Sequence, residues 1–158
     1  MTWLDWINKD EGLLHFTAQL IHFRKDHQIF HRRRWFQGRS VHGHGVDDIV
    51  WFRADANLMS NEDWDVSFAR SVAIFLNGEA IASKDRRGAR VRDSTYYLMF
   101  NGHYESLTFI LPQAQYGKRW RLALDTASGK FGVGRKVSRP GEEMSLEARS
   151  VRVLQRIG

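Results

Sequence analysis

Apolar residues between Asp10 and Asp26 fall at 13, 14, 16, 18, 20, 21 and 23. The spacings 13–16–20–23 and 14–18–21 describe one broad helical face. They predict an amphipathic helix over residues 9–26. Asn8 or Asp10 serves as its N-cap, with Asp10 and Glu11 in the first turn and Arg24, Lys25 and His27 in the last. Those charges suit the helix dipole at each end. After His31 the pattern changes to short β-like runs: 34–36, 49–53, 71–76, 95–100, 106–111, 120–124, 143–146 and 150–154. Turn residues separate most of them: Gly43 and Gly45, Asn77-Gly78, Asn101-Gly102, Tyr116-Gly117, the glycines from 129 to 134, and Pro140-Gly141. In 120–124 the even positions point to one face, and Val151 and Val153 share a face in the last run. Ser60 to Trp64 opens one helical turn, with Ser60 as cap and Asp63 as its partner. The pattern predicts a mainly β fold, an antiparallel β-sandwich of about eight strands preceded by one helix. Trp51, Phe75, Leu98, Phe100, Phe109 and Leu122 are its expected core.

The chain of 158 residues is about one domain's worth, too short for a complete β/α barrel. It has no cysteine, which removes disulfides, thiolate metal sites and a cysteine nucleophile. The net charge of +6 raises an anionic partner, yet the excess is dispersed. Residues 41–80 alone carry a net −5, between basic segments on either side. No signal peptide is expected in the first ten residues, and no membrane span.

Candidate chemistry is sparse. Trp3 and Trp6 flank Asp5 just before the helix; indole faces with a carboxylate form a sugar platform, or the tryptophans pack against a neighbouring domain. His42-Gly43-His44 has the look of a metal pair but lacks a third ligand, and His15, His22, His27 and His31 lack a carboxylate partner. No metal and no cofactor are therefore expected. Arg32-Arg33-Arg34-Trp35-Phe36 reads as a strand edge with exposed arginines, or as a clamp on single-stranded nucleic acid. The acidic pairs and clusters 47–48, 62–65 and 142–143 read as solvated turns, not as the facing carboxyl groups of a retaining glycosidase. Neither a nucleophile elbow nor a phosphate loop is present.

Ten blocks, in order, resemble the C-terminal part of bacterial glycogen debranching enzymes, the isoamylase-type branch of the α-amylase superfamily. They are Trp3-Leu4-Asp5-Trp6, LLHFTAQLIHFRKDHQIF, RRRWFQG, DIVWFR, NEDWD, VAIFLNG, DSTYYLMFNGH, FILP, WRLALDT and ARSVRVLQR. The resemblance implies that residues 1–30 are the end of a catalytic barrel, its last loop and helix. Residues 31–158 are then the C-terminal β-sandwich. It implies a parent that hydrolyses α-1,6 branch linkages in glycogen or limit dextrin in the cytoplasm. The family's catalytic acids lie on earlier barrel strands, so no catalytic residue is carried over and this chain alone is expected to be inactive. Trp3, Asp5 and Trp6 match a segment near the substrate-binding rim. Gln28 departs from the family's pattern, which has proline after the histidine at the helix end.

Two other readings compete: a stand-alone carbohydrate-binding β-sandwich, and a basic nucleic-acid-binding protein. The leading reading expects the parent's catalytic barrel as partner, with glucan bound through the parent, and neither nucleic acid nor membrane. It also expects the helix to fold back onto the sandwich or to pair with a second copy, giving a homodimer.

Overall fold

Asp10 starts the first element: its carboxylate accepts the Leu13 N–H at 2.9 Å and caps helix α1 (Glu11–Asp26). The computed structural model describes residues 8–38, 45–66, 70–132 and 136–158. A single 3₁₀ turn, Gln28–Phe30, follows the helix. Nine strands follow among the described residues: β1 (Ile49–Phe52), β2 (Ser71–Leu76), β3 (Tyr96–Asn101), β4 (Leu107–Ile110), β5 (Trp120–Asp125), β6 (Lys130–Phe131), β7 (Val137–Ser138), β8 (Glu143–Leu146) and β9 (Ser150–Arg156). The turn at 60–64 becomes the short helix α2 (Asn61–Trp64). Ser60 and Asp63 there form the reciprocal capping box that the sequence predicts.

All pairings are antiparallel. The large sheet runs β1-β2-β3-β9-β5-β6, with β7 on the end of β5; β4 and β8 form a separate pair. Alternation along β3 divides the core in two. Tyr97 and Met99 face a cluster with Phe75, Trp120 and Leu154, closed over by Phe109 of β4 and Leu146 of β8. Tyr96 and Leu98 face the opposite cluster, with Leu76, Val153, Leu124 and the aromatic rings of the N-terminal segment. The result is a sandwich in which the β4–β8 pair covers one sheet face and α1 part of the other.

Four expectations are corrected. Residues 34–36 form no strand, because their segment is pulled onto a buried carboxylate described below. Strands β6 and β7, two residues each, are too short to leave a period in the sequence. Trp51 and Phe100 are not in the core: Trp51 is 37% exposed on the edge strand β1, and Phe100, half-buried, belongs to neither cluster. The even positions of 120–124 do not share a face: the β5–β9 register shifts between Leu122 and Leu124. Trp120 and Leu122 therefore pack in the first cluster, and Ala123 and Leu124 in the second. One extra residue in a strand has this effect.

One glycine is required by close approach. A β-carbon on Gly78 would run into the backbone oxygens of Asp93 and Ser94. Its own N–H donates to Thr95 Oγ1 at 3.1 Å, and its carbonyl accepts from Asp93 N–H at 3.1 Å. This contact holds the segment before β3 in place, and with it Asp93.

Candidate functional site

Trp3, Asp5 and Trp6 lie outside the described residues, as do His42, Gly43 and His44. The surface that can be built from described residues centres on α1. At 3.6 residues per turn, Leu14 and Ile21 lie roughly 150° around the helix from Phe16 and Phe23. Phe16 and Phe23 dock on the sheet. Phe16 meets Phe131 at 5.2 Å between ring centroids, and Phe23 meets Tyr96 edge-on at 5.7 Å. Leu14 and Ile21 remain 46% and 49% exposed, and Leu13 62%. The single broad face expected from the spacing is thus two apolar sides, only one of which is covered. The outer side of α1 leaves Leu13, Leu14 and Ile21 exposed next to one another along the helix.

The sheet continues this surface. Trp51, Ile74 and Leu98 lie in one row across β1, β2 and β3, and Val72, Phe100 and Val151 in the next. All are incompletely buried. Trp64 of α2 stands edge-on against Trp51 at 5.2 Å and is itself exposed.

The join between α1 and the sandwich is polar and specific. His27 Nδ1 lies 3.0 Å from Asp93 Oδ1. The other oxygen of Asp93 accepts Ile29 N–H at 2.9 Å, and Oδ1 also accepts Ser94 N–H. Ile29 is fully buried beneath this joint. His27 therefore has the carboxylate partner that sequence spacing does not reveal, 66 positions away.

A second polar anchor lies at Asp48, which is completely buried. It accepts Arg32 Nη1 at 3.1 Å and the N–H groups of Gln37 and Gly38 at 3.0 Å. The solvated turn expected at 47–48 is thus an internal anchor, and it draws residues 32–38 out of any strand. Arg32 also lies over the Phe36 ring, 4.0 Å from its centroid. Beside it Trp35 is 92% exposed.

The remaining acidic groups have local work. Glu142 accepts Arg139 N–H and sits below the usual carboxylate range for that reason. The hydrogen bond from Arg53 holds Asp55 down to about 2. Burial raises the phenols of Tyr96 and Tyr97 well above their ordinary value. Among the described residues no three His, Cys, Asp or Glu side chains are grouped to hold a metal ion. No described helix is long and apolar enough to cross a membrane.

These features define an antiparallel β-sandwich that carries a helix on one sheet face and presents the helix's other side outward. The chain belongs to the family described as Isoamylase, C-terminal, which matches residues 48–156. It is 38% identical over 99% of its length to a glycogen operon protein GlgX homolog of Mycobacterium tuberculosis, and covers 22% of that protein. It is 24% identical to an isoamylase of Pseudomonas amyloderamosa, covering 89% of this chain and 16% of the isoamylase. Over 40% of the chain it is 34% identical to a glycogen debranching enzyme of Escherichia fergusonii, 9% of which is covered. A pullulanase type I from Bacillus subtilis aligns with a TM-score of 0.49 at 14% identity, over 91% of this chain and 15% of that one. The chain thus spans about a fifth of the length of the mycobacterial relative.

Proposed function

We propose that this chain is the C-terminal sandwich region of a glycogen-debranching hydrolase, and that it works by bracing the catalytic domain. Residues 1–30 then close the catalytic barrel and residues 31–158 form the sandwich. The parent cleaves α-1,6 branch linkages of glycogen in the cytoplasm, and Trp3, Asp5 and Trp6 stand near its glucan. One observation carries this reading: α1 is apolar on two sides and the sandwich covers one. Burying a leucine or isoleucine is worth roughly 1.5–3 kcal/mol, so the Leu14–Ile21 side favours a second body. The names of the mycobacterial and enterobacterial relatives support glycogen as the parent's substrate. Apart from the catalytic domain, the same side pairs two copies of the chain.

The test is reconstitution. The catalytic portion of the mycobacterial relative, ending where the matched region begins, is mixed with this chain. Co-elution and gain of debranching activity are expected, with neither from Leu14→Glu/Ile21→Glu. The chain alone should release no reducing ends from glycogen above a buffer control. Release by the chain alone, or wild-type behaviour of the double variant, overturns the reading.

A further inference from the structure

The basic run after the helix builds a cleft together with the end of α1. Its volume is about 370 Å³, and Arg24, His31, Arg32, Arg33, Arg34 and Trp35 are among its lining residues. Among the described residues no acidic side chain lines it. Among the described residues no carboxylate pairs with Arg24, Arg33 or Arg34. Arg32 is different in kind. Its side chain is 3% exposed and fixed by Asp48 and Phe36. Yet among the described residues its Nε and Nη2 have no hydrogen-bond partner. These two nitrogens form one edge of the guanidinium, the fork that receives two oxygens of a carboxylate or phosphate. Buried charged donors without acceptors are rare and unfavourable, so this edge adds uncompensated donors behind the cleft. Both nitrogens are buried, so Arg32 backs the cleft, and the exposed Arg24, Arg33 and Arg34 are the guanidiniums that meet an incoming oxyanion.

We propose that this cleft binds a phosphoryl group carried on a sugar. The arginines hold the phosphate, and the exposed Trp35 indole lies against the ring. The volume is at the small end of ligand sites and takes one monosaccharide phosphate, not a length of strand. The phosphate half of the proposal stands on the cleft alone. The sugar half rests on the glycogen reading above.

The 158-residue chain is titrated calorimetrically with glucose 6-phosphate, inorganic phosphate, maltotriose and a short single-stranded oligonucleotide. Saturable 1:1 binding of glucose 6-phosphate is expected, several-fold weaker binding of inorganic phosphate, and weaker still of maltotriose. Arg33→Ala/Arg34→Ala should weaken both phosphates about tenfold or more, as loss of charge-assisted bonds does. Trp35→Ala, at a side chain that supports no packing, should bring glucose 6-phosphate down to the level of inorganic phosphate. Circular dichroism checks that both variants are folded. Absence of saturable phosphate binding overturns the proposal. So does equal binding of maltotriose, tightest binding of the oligonucleotide, or indifference to the arginine variants. If the arginine variants instead impair only assembly with the catalytic portion, Arg32's acceptor belongs to that domain and the proposal is wrong. No catalytic portion is present in the titration, so its failure leaves the reconstitution result untouched.

Discussion

His27 and Asp93 meet at 3.0 Å across the joint between α1 and the sandwich, although 66 positions separate them in the chain. Asp93 simultaneously accepts the N–H of Ile29, so one carboxylate fixes both the end of the helix and the turn after it. Asp93→Ala leaves the Ile29 donor without its acceptor. A buried orphan donor costs about 1–3 kcal/mol, and loss of the His27 contact adds to it. The variant should be destabilised by about 3 kcal/mol in urea unfolding, and Asp93→Asn by less. An unchanged midpoint for Asp93→Ala would show the joint to be unimportant for stability.

The two sides of α1 should respond differently to substitution. Phe16→Ala and Phe23→Ala remove rings packed on the sheet, and each should cost about 2 kcal/mol, below the full-core value because both are only half buried. Leu14 and Ile21 belong to neither core cluster, and Leu14→Gln and Ile21→Gln should stay within about 0.5 kcal/mol of wild type. Their effect should appear instead as a fall in self-association by sedimentation. Equal losses of stability on both sides would show that the chain already buries its whole helix.

Asp48 anchors three donors in the interior. Asp48→Ala leaves the Arg32 guanidinium buried without its counter-charge, which costs about 3–5 kcal/mol. Thermal unfolding followed by circular dichroism should show a large drop in midpoint, with Arg32→Met/Asp48→Leu less affected than Asp48→Ala alone.

Alkaline stability should report on Tyr96 and Tyr97. Burial raises both phenols in the folded state, so the unfolded chain releases these protons first. Their contribution is fully present below about pH 10 and is lost as pH rises, by about 1.4 kcal/mol per pH unit for each tyrosine. Tyr97→Phe should flatten that decline. At neutral pH it should leave stability unchanged or improved, because among the described residues the Tyr97 hydroxyl has no hydrogen-bond partner. A decline as steep as wild type would assign it to other groups.

Much of the fold is legible residue by residue. The runs at 71–76 and 143–146 are strands with those same ends, and the Asp10 cap and the Ser60–Asp63 box follow from local chemistry. What escapes local pattern depends on distant partners. Nothing near His27 announces Asp93, and nothing in Asp47-Asp48 shows that the second acid turns inward toward Arg32. Trp51 has the hydrophobicity of a core residue, but edge position is a property of strand order. The helix misleads for a related reason: spacing groups its apolar residues together, while only the sheet's position divides them into an inner and an outer side. Of the site, the basic aromatic run is visible as letters, and its cleft is not.

The register shift in β5 has a consequence for how this domain varies in length. Ala123 is the unpaired residue between two partners of β9, Leu154 and Val153, that are themselves adjacent. Removing it would leave Leu122 and Leu124 alternating correctly, each still directed to its own cluster. Removing Arg121 instead would turn either Trp120 or Leu122 to the opposite face, depending on whether the bulge stays or closes. The bulge is therefore the position in this strand where a codon can be lost without turning part of the sheet inside out.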